Sequence, residues 1–224
     1  MKRLIVICEG RSEVNFIKNV ISCEFSDNIS FEPRTIPTGK NPNGGNAKGG
    51  SLDYDRVRKY IINTLKEIGS SREESFVTTF FDYYKLSNKF PKFNQATQKK
   101  DIYKTISELE EAFYKDICDN RFIPYIQLHE FESLIFCDIE KLFEKEDINQ
   151  KNLTNLKNTL SNFGNNPELI NGGYKTAPSK VILNNFSGYQ KTLHGYTALS
   201  KIGISEICNQ CKHFREWIAK IKSI

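Results

Sequence analysis

Three short apolar runs, RLIVIC at residues 3–8, FVTTFF at 76–81 and FIPYIQL at 122–128, each run out into acidic residues and are separated by helical periodicity. A continuous apolar run of six or seven residues fits a strand buried on both faces of a parallel sheet better than a half-exposed, alternating one. Parallel strands need helical crossovers between them, and the spacing supplies these. Phe16, Ile17, Val20 and Ile21 mark a first helix, with Ser12 as its cap and Glu13 in its first turn. Val57, Ile61, Leu65 and Ile68 mark a second, and Ile102, Ile106, Leu109, Phe113 and Ile117 a third.

A further strand is expected at 30–36, on an edge because of Pro33, and Pro124 argues for an edge position of the 122–128 strand as well. The expected fold is therefore α/β: a Rossmann-like, four-stranded, mostly parallel sheet with helices on both faces, over residues 1–137. Residues 138–224 carry short helical pieces punctuated by Gly, Asn and Pro, and are expected to form a helical extension packed on it. The aromatic, basic segment DYYKLSNKFPKF after the third run reads as a loop inserted over the strand end.

In an open parallel sheet the residues just past the strands' carboxyl ends gather along one edge, where ligands bind at the topological switch point. Glu9 follows the first run, Asp82 the third strand, and His129, Glu130 and Glu132 the fourth. Carboxylates gathered in this way raise one another's pKa and call for a cation or a basic partner. An all-oxygen donor set favours a hard ion, Mg²⁺ or Mn²⁺. Such an ion clamps a phosphate oxygen and activates water, which is phosphodiesterase or nuclease chemistry. Each acid also has a plainer reading as a turn residue or helix cap. Glu130 and Glu132 lie two apart, so a helix starting there splays them, whereas a continued strand points both one way.

His129 is a candidate general acid or base or a phosphate contact. Arg11, Lys48, Lys85 and Lys180 are candidate phosphate or nucleic-acid contacts, and a formal net charge of +5 permits such a partner. The loop TGKNPNGGNAKGGS, with Arg34 and Lys40 close by, is either a basic arm or a surface loop. It fails the Walker pattern, because Gly49 follows Lys48. His194 and His213 read as structural, and Cys208-x-x-Cys211-x-His213 lacks a second pair of zinc-spaced ligands. The six cysteines read as reduced thiols, and the absence of a long apolar run points to a cytoplasmic chain.

LIVICEG with Glu9 at its end, followed by the strand that ends in Asp82, resembles the Toprim fold of topoisomerases, primases and overcoming-lysogenization-defect nucleases. EGRSEVNFI, TTFFDYYKL, FIPYIQLHEFESLIF, TAPSK and CKHFREWI are closer to an uncharacterised bacterial Toprim-like family, a domain of unknown function. The resemblance spans nearly the whole chain, and QLHEFESLIF is its most specific motif. It implies a metal-dependent nuclease of a bacterial defence system, with Glu9 and Asp82 as metal ligands and Glu13, Glu130 and Glu132 as candidates to complete the shell. It also implies an ABC-type or AAA-type ATPase partner. The Toprim pattern has an Asp-x-Asp pair after the third strand, whereas here Tyr84 stands at the second position. A noncatalytic subunit that binds an ATPase or nucleic acid is the competing expectation.

Overall fold

The computed structural model describes residues 1–37, 52–70, 73–143, 149–170, 173 and 176–224. Lys48 and the glycine-rich loop at 38–51 lie outside the described residues. In chain order the elements are β1 (Lys2–Cys8), α1 (Arg11–Phe16), α2 (Ser22–Glu24), β2 (Ile29–Thr35), α3 (Tyr54–Gly69), β3 (Ser75–Asp82), α4 (Phe93–Ala96), α5 (Ile102–Ile117), β4 (Phe122–Ile123) and β5 (Ile126–Gln127). A 3₁₀ segment (Phe131–Leu142), α6 (Gln150–Asn162), α7 (Pro178–Asn185), α8 (Tyr196–Ile202), α9 (Ile204–Gln210) and α10 (Lys212–Lys222) follow. The chain divides into two compact units, residues 1–10 with 27–126 and residues 11–26 with 127–224. The expected division after 137 differs from this in two ways: the first helix belongs with the C-terminal helices, and the boundary falls eleven residues earlier.

The first unit is α/β, built on a parallel sheet of order β2-β1-β3-β4, with β5 pairing β3. In β1, Leu4 to Cys8 are fully buried, as the unbroken apolar run requires. β2 lies on the edge, and its Pro33 stands in register with Val6. The expected fourth strand is broken: β4 and β5 are two residues each, separated by Pro124 and Tyr125, because proline cannot donate to the ladder. Side chains of β3 mend the break. Thr79 Oγ1 donates to Tyr125 O and accepts from Tyr125 N, both at 2.9 Å, and Thr78 Oγ1 donates to Ile123 O at 2.6 Å. The Ile126 N–H donates to the buried carboxylate of Glu110 at 2.8 Å.

α3 and α5 begin at aspartate caps: Asp53 accepts from the Arg56 N–H, and Asp101 from the Tyr103 and Lys104 N–H groups. The segment after β3 is better ordered than a loop, with a 3₁₀ turn at Tyr83–Lys85 and the short α4. Phe90, 2% exposed, anchors it with its ring 4.8 Å from Tyr54 and 5.5 Å from Phe113. Arg34 is committed to structure, since its guanidinium grips both Glu67 oxygens at 2.9 and 2.8 Å and also meets Glu32.

The second unit is helical. α1 starts at Arg11, so Ser12 lies inside the first turn and does not cap it, and the helix continues through a π-helical turn at Ile17–Ile21. Its Phe16 is fully buried against Phe131 at 5.3 Å and Phe214 at 6.2 Å, which explains why this helix belongs with the C-terminal half. Glu168, also fully buried, receives the His213 and Phe214 N–H groups at 3.0 and 2.9 Å and so satisfies the start of α10. Among the described residues no helix is long and apolar enough to cross a membrane.

Candidate functional site

β1 and β3 are neighbours whose connections depart in opposite directions, β1 toward β2 and β3 toward β4, so the gap at their carboxyl ends is the topological switch point. Cys8 pairs with Phe80, which puts Glu9 and Asp82 just beyond the ladder on adjacent strands. Glu9 Oε1 accepts the Asp82 N–H at 2.7 Å, and this bond fixes the Glu9 carboxylate at the strand end. The 3₁₀ turn Tyr83–Lys85 then brings Lys85 back, with its ammonium 3.0 Å from Glu9 Oε2 and 3.8 Å from Asp82 Oδ2. The Asp82 side chain is fully buried and that of Glu9 is 8% exposed, whereas that of Lys85 is 41% exposed.

One ammonium thus stands between two buried carboxylates at the sheet edge. The donor set fits a hard cation of the Mg²⁺ or Mn²⁺ kind, which takes one or two protein carboxylates and completes its shell with water and substrate oxygens. Lys85 occupies the place of such a charge. Among the described residues no group of three or more His, Cys, Asp or Glu side chains is arranged to hold a metal.

The second unit holds its own acidic cluster. Glu13 on α1 and Glu132 in the first turn of the 3₁₀ segment share the Lys191 ammonium at 3.2 and 3.1 Å. Lys191 opens a π-helical turn, Lys191–Gly195, and lies 5.5 Å over the Phe131 ring. Gly195 permits that approach, because a Cβ there would sit 3.1 Å from the Phe131 ring. The Glu132 side chain is 1% exposed, and the Lys191 charge reaches it without a well-directed hydrogen bond. Burial raises its pKa, Lys191 opposes the shift, and the neighbouring Glu130 adds to it. The Tyr189 hydroxyl is buried without a hydrogen-bond partner among the described residues, and burial together with the Glu132, Glu130 and Glu13 charges raises its pKa.

Glu130 precedes the 3₁₀ segment in extended conformation, and its Oε2 accepts the Ser179 N–H of α7 at 3.0 Å. Glu130 and Glu132 therefore take different partners, and TAPSK matters as a helix start that meets Glu130. His129 has φ 60, a left-handed conformation. Burial lowers its pKa to about 4, so at neutral pH it carries no charge with which to hold a phosphate. Arg11 and Lys180 are exposed. His194 serves the local backbone by accepting the Gln190 N–H at 2.8 Å.

The structure thus brings Glu9, Asp82 and Lys85 together in the first unit, and Glu13, Glu130 and Glu132 in the second. Sequence reasoning missed Lys191 and Tyr189. They sit in a segment with no strand signal, and a Tyr-x-Lys spacing carries no chemistry by itself.

The parallel sheet and the acids at its switch point define a Rossmann-like α/β protein. The family described as a domain of unknown function (DUF4276) matches residues 8–222, and the chain belongs to that family. No curated protein matches it significantly.

Proposed function

We propose that this protein is a divalent-metal-dependent phosphodiester hydrolase, a nuclease acting on DNA or RNA. The observation that carries the reading is the Glu9–Asp82 pair at neighbouring strand ends, bridged by one lysine. Glu9 and Asp82 would hold Mg²⁺ or Mn²⁺, which when bound supplies a Lewis acid at a phosphate oxygen and lowers the pKa of bound water. The Asp82 N–H keeps the Glu9 carboxylate oriented. Lys85, more exposed than either acid, exchanges its carboxylate partners for a phosphate oxygen as substrate arrives. Glu13, Glu130 and Glu132 enter as separate candidates, each tested by its own Gln variant. The resemblance to Toprim nucleases supports this chemistry, a role in bacterial defence and an ABC-type or AAA-type ATPase partner.

A second reading, a noncatalytic Toprim-like subunit that binds an ATPase or nucleic acid, is favoured by two observations. Lys85 already neutralises part of the acidic pair, and Tyr84, 43% exposed, stands at the position of the second Toprim aspartate. Incubation with plasmid, single-stranded DNA and transfer RNA in Mg²⁺ or Mn²⁺, with and without a purified ATPase, separates the readings. Cleavage by the wild type that Glu9→Gln abolishes supports hydrolysis. Cleavage that survives Glu9→Gln overturns the assignment, and no cleavage under any condition favours the binding subunit.

A further inference from the structure

We propose that Cys137 and Cys211 form an oxidisable dithiol, a modification site that takes a two-electron oxidant of the disulfide class. Their sulfurs lie 3.4 Å apart across 74 residues of sequence, in thiol–thiol contact inside the second unit. Cys137 is 7% exposed and Cys211 fully buried. Both backbones are held, which keeps the sulfurs facing. Cys211 closes α9 at its junction with α10, and Gln210 beside it donates to Cys137 O at 2.7 Å.

Buried thiols of this kind are normally inert, because oxidants do not reach them and thiolate is scarce. Cys208 supplies the route. It lies on α9, three residues before Cys211, and is only partly buried. Its thiolate attacks the S–S bond of a disulfide oxidant, forms a mixed disulfide and expels one thiolate. The Cys211 sulfur then displaces the second thiol from Cys208, closing a Cys208–Cys211 bond. Cys137 attacks the Cys211 sulfur, releases Cys208 as a thiol and leaves a Cys137–Cys211 disulfide. In sum two protein thiols lose two electrons and two protons, and one oxidant disulfide becomes two thiols.

Burial raises the Cys208 pKa, and the hydrogen bond with Cys137, then burial and the Glu168 charge, raise that of Cys211, so the exchange runs faster as pH rises above neutral. The product pins the 3₁₀ segment, which carries Glu132 five residues before Cys137, to the α9–α10 junction.

The test uses the full chain, which has six cysteines, with Cys23 and Cys118 exposed as internal controls. Protein held in oxidised glutathione at pH 8.5 is alkylated, digested without reduction and mapped by mass spectrometry, beside a sample held at pH 7. The expected result is a Cys137–Cys211 linked peptide, formed faster at the higher pH, with a Tm roughly 5–10 °C above that of the reduced protein. Cys208→Ser should slow its formation about tenfold and leave the product unchanged. A stable Cys208–Cys211 link, glutathione retained on Cys208, or no Cys137 link after full oxidation of the exposed cysteines overturns the proposal. Unchanged kinetics in Cys208→Ser overturns the route through Cys208.

Discussion

Replacing Lys191 with methionine removes the ammonium shared by Glu13 and Glu132 while keeping the length of the side chain. The two carboxylates are 3% and 1% exposed, so they cannot turn to water for compensation. Removing one partner of a buried ion pair typically costs about 3–5 kcal/mol. A carboxylate can escape by taking a proton, and this caps the loss. From a reference value of 4.5, neutralising Glu132 at pH 7 costs about 1.36 × 2.5, or roughly 3.4 kcal/mol, and at pH 5 under about 1 kcal/mol.

The sign follows from linkage. Glu132 has a raised pKa in the folded state, so the folded protein holds its proton more tightly and stability falls as pH rises above 4.5. Loss of Lys191 raises that pKa further. The expected deficit of Lys191→Met is therefore about 3 kcal/mol at pH 7, shrinking to below about 1 kcal/mol at pH 5. Urea unfolding at pH 5, 6 and 7 measures it, and Glu132→Gln on the Lys191→Met background should recover most of the loss. A deficit independent of pH, or no recovery in the double variant, refutes the reasoning.

His129 gives the opposite slope. Its pKa of about 4 lies below the ordinary 6.5, so the unfolded chain binds the proton first and stability falls as pH drops from 6.5 toward 4, by up to about 3 kcal/mol. Replacing it with Asn, which tolerates a left-handed backbone, should flatten that part of the pH–stability curve; an unchanged curve contradicts burial as the cause. Thr79→Val keeps the β-branched shape of β3 but removes the hydrogen bonds from Thr79 to both backbone groups of Tyr125, and should cost about 1–3 kcal/mol in denaturant unfolding. Lys85→Met should bind Mn²⁺ at least severalfold more tightly, because no ammonium competes for Glu9 and Asp82, yet lose cleavage activity. Tighter binding with full activity removes Lys85 from phosphate contact.

The strands were legible because their apolar runs were complete, and Pro33 marked the edge through its missing donor. Glu9 and Asp82 were legible by the same logic: strand ends in a parallel sheet gather on one side, and both residues follow their strands directly. Pro124 marked an edge as Pro33 did, since β4 ends the sheet order, but it also broke the strand, and the Thr78 and Thr79 side chains that replace the lost pairing lie 45 and 46 residues from their partners and left no local signal. The partnership of Glu132 with Lys191 left no trace in local pattern, because an ion pair depends on where two helical turns meet and not on either turn's own sequence. The first helix misled for a related reason. Its apolar face satisfies any packing partner, and only the rings of Phe131 and Phe214 decide which one it takes.

The central claim is that Glu9 and Asp82 form a hard-cation site that drives phosphodiester cleavage. Its most direct measurement is calorimetric titration of Mn²⁺ into wild type, Glu9→Gln and Asp82→Asn, each checked for folding by circular dichroism. The expected result is binding by wild type at or below the millimolar range and loss of at least tenfold in affinity in both folded variants. Folded variants that bind Mn²⁺ as the wild type does, or a wild type that binds none, would contradict it.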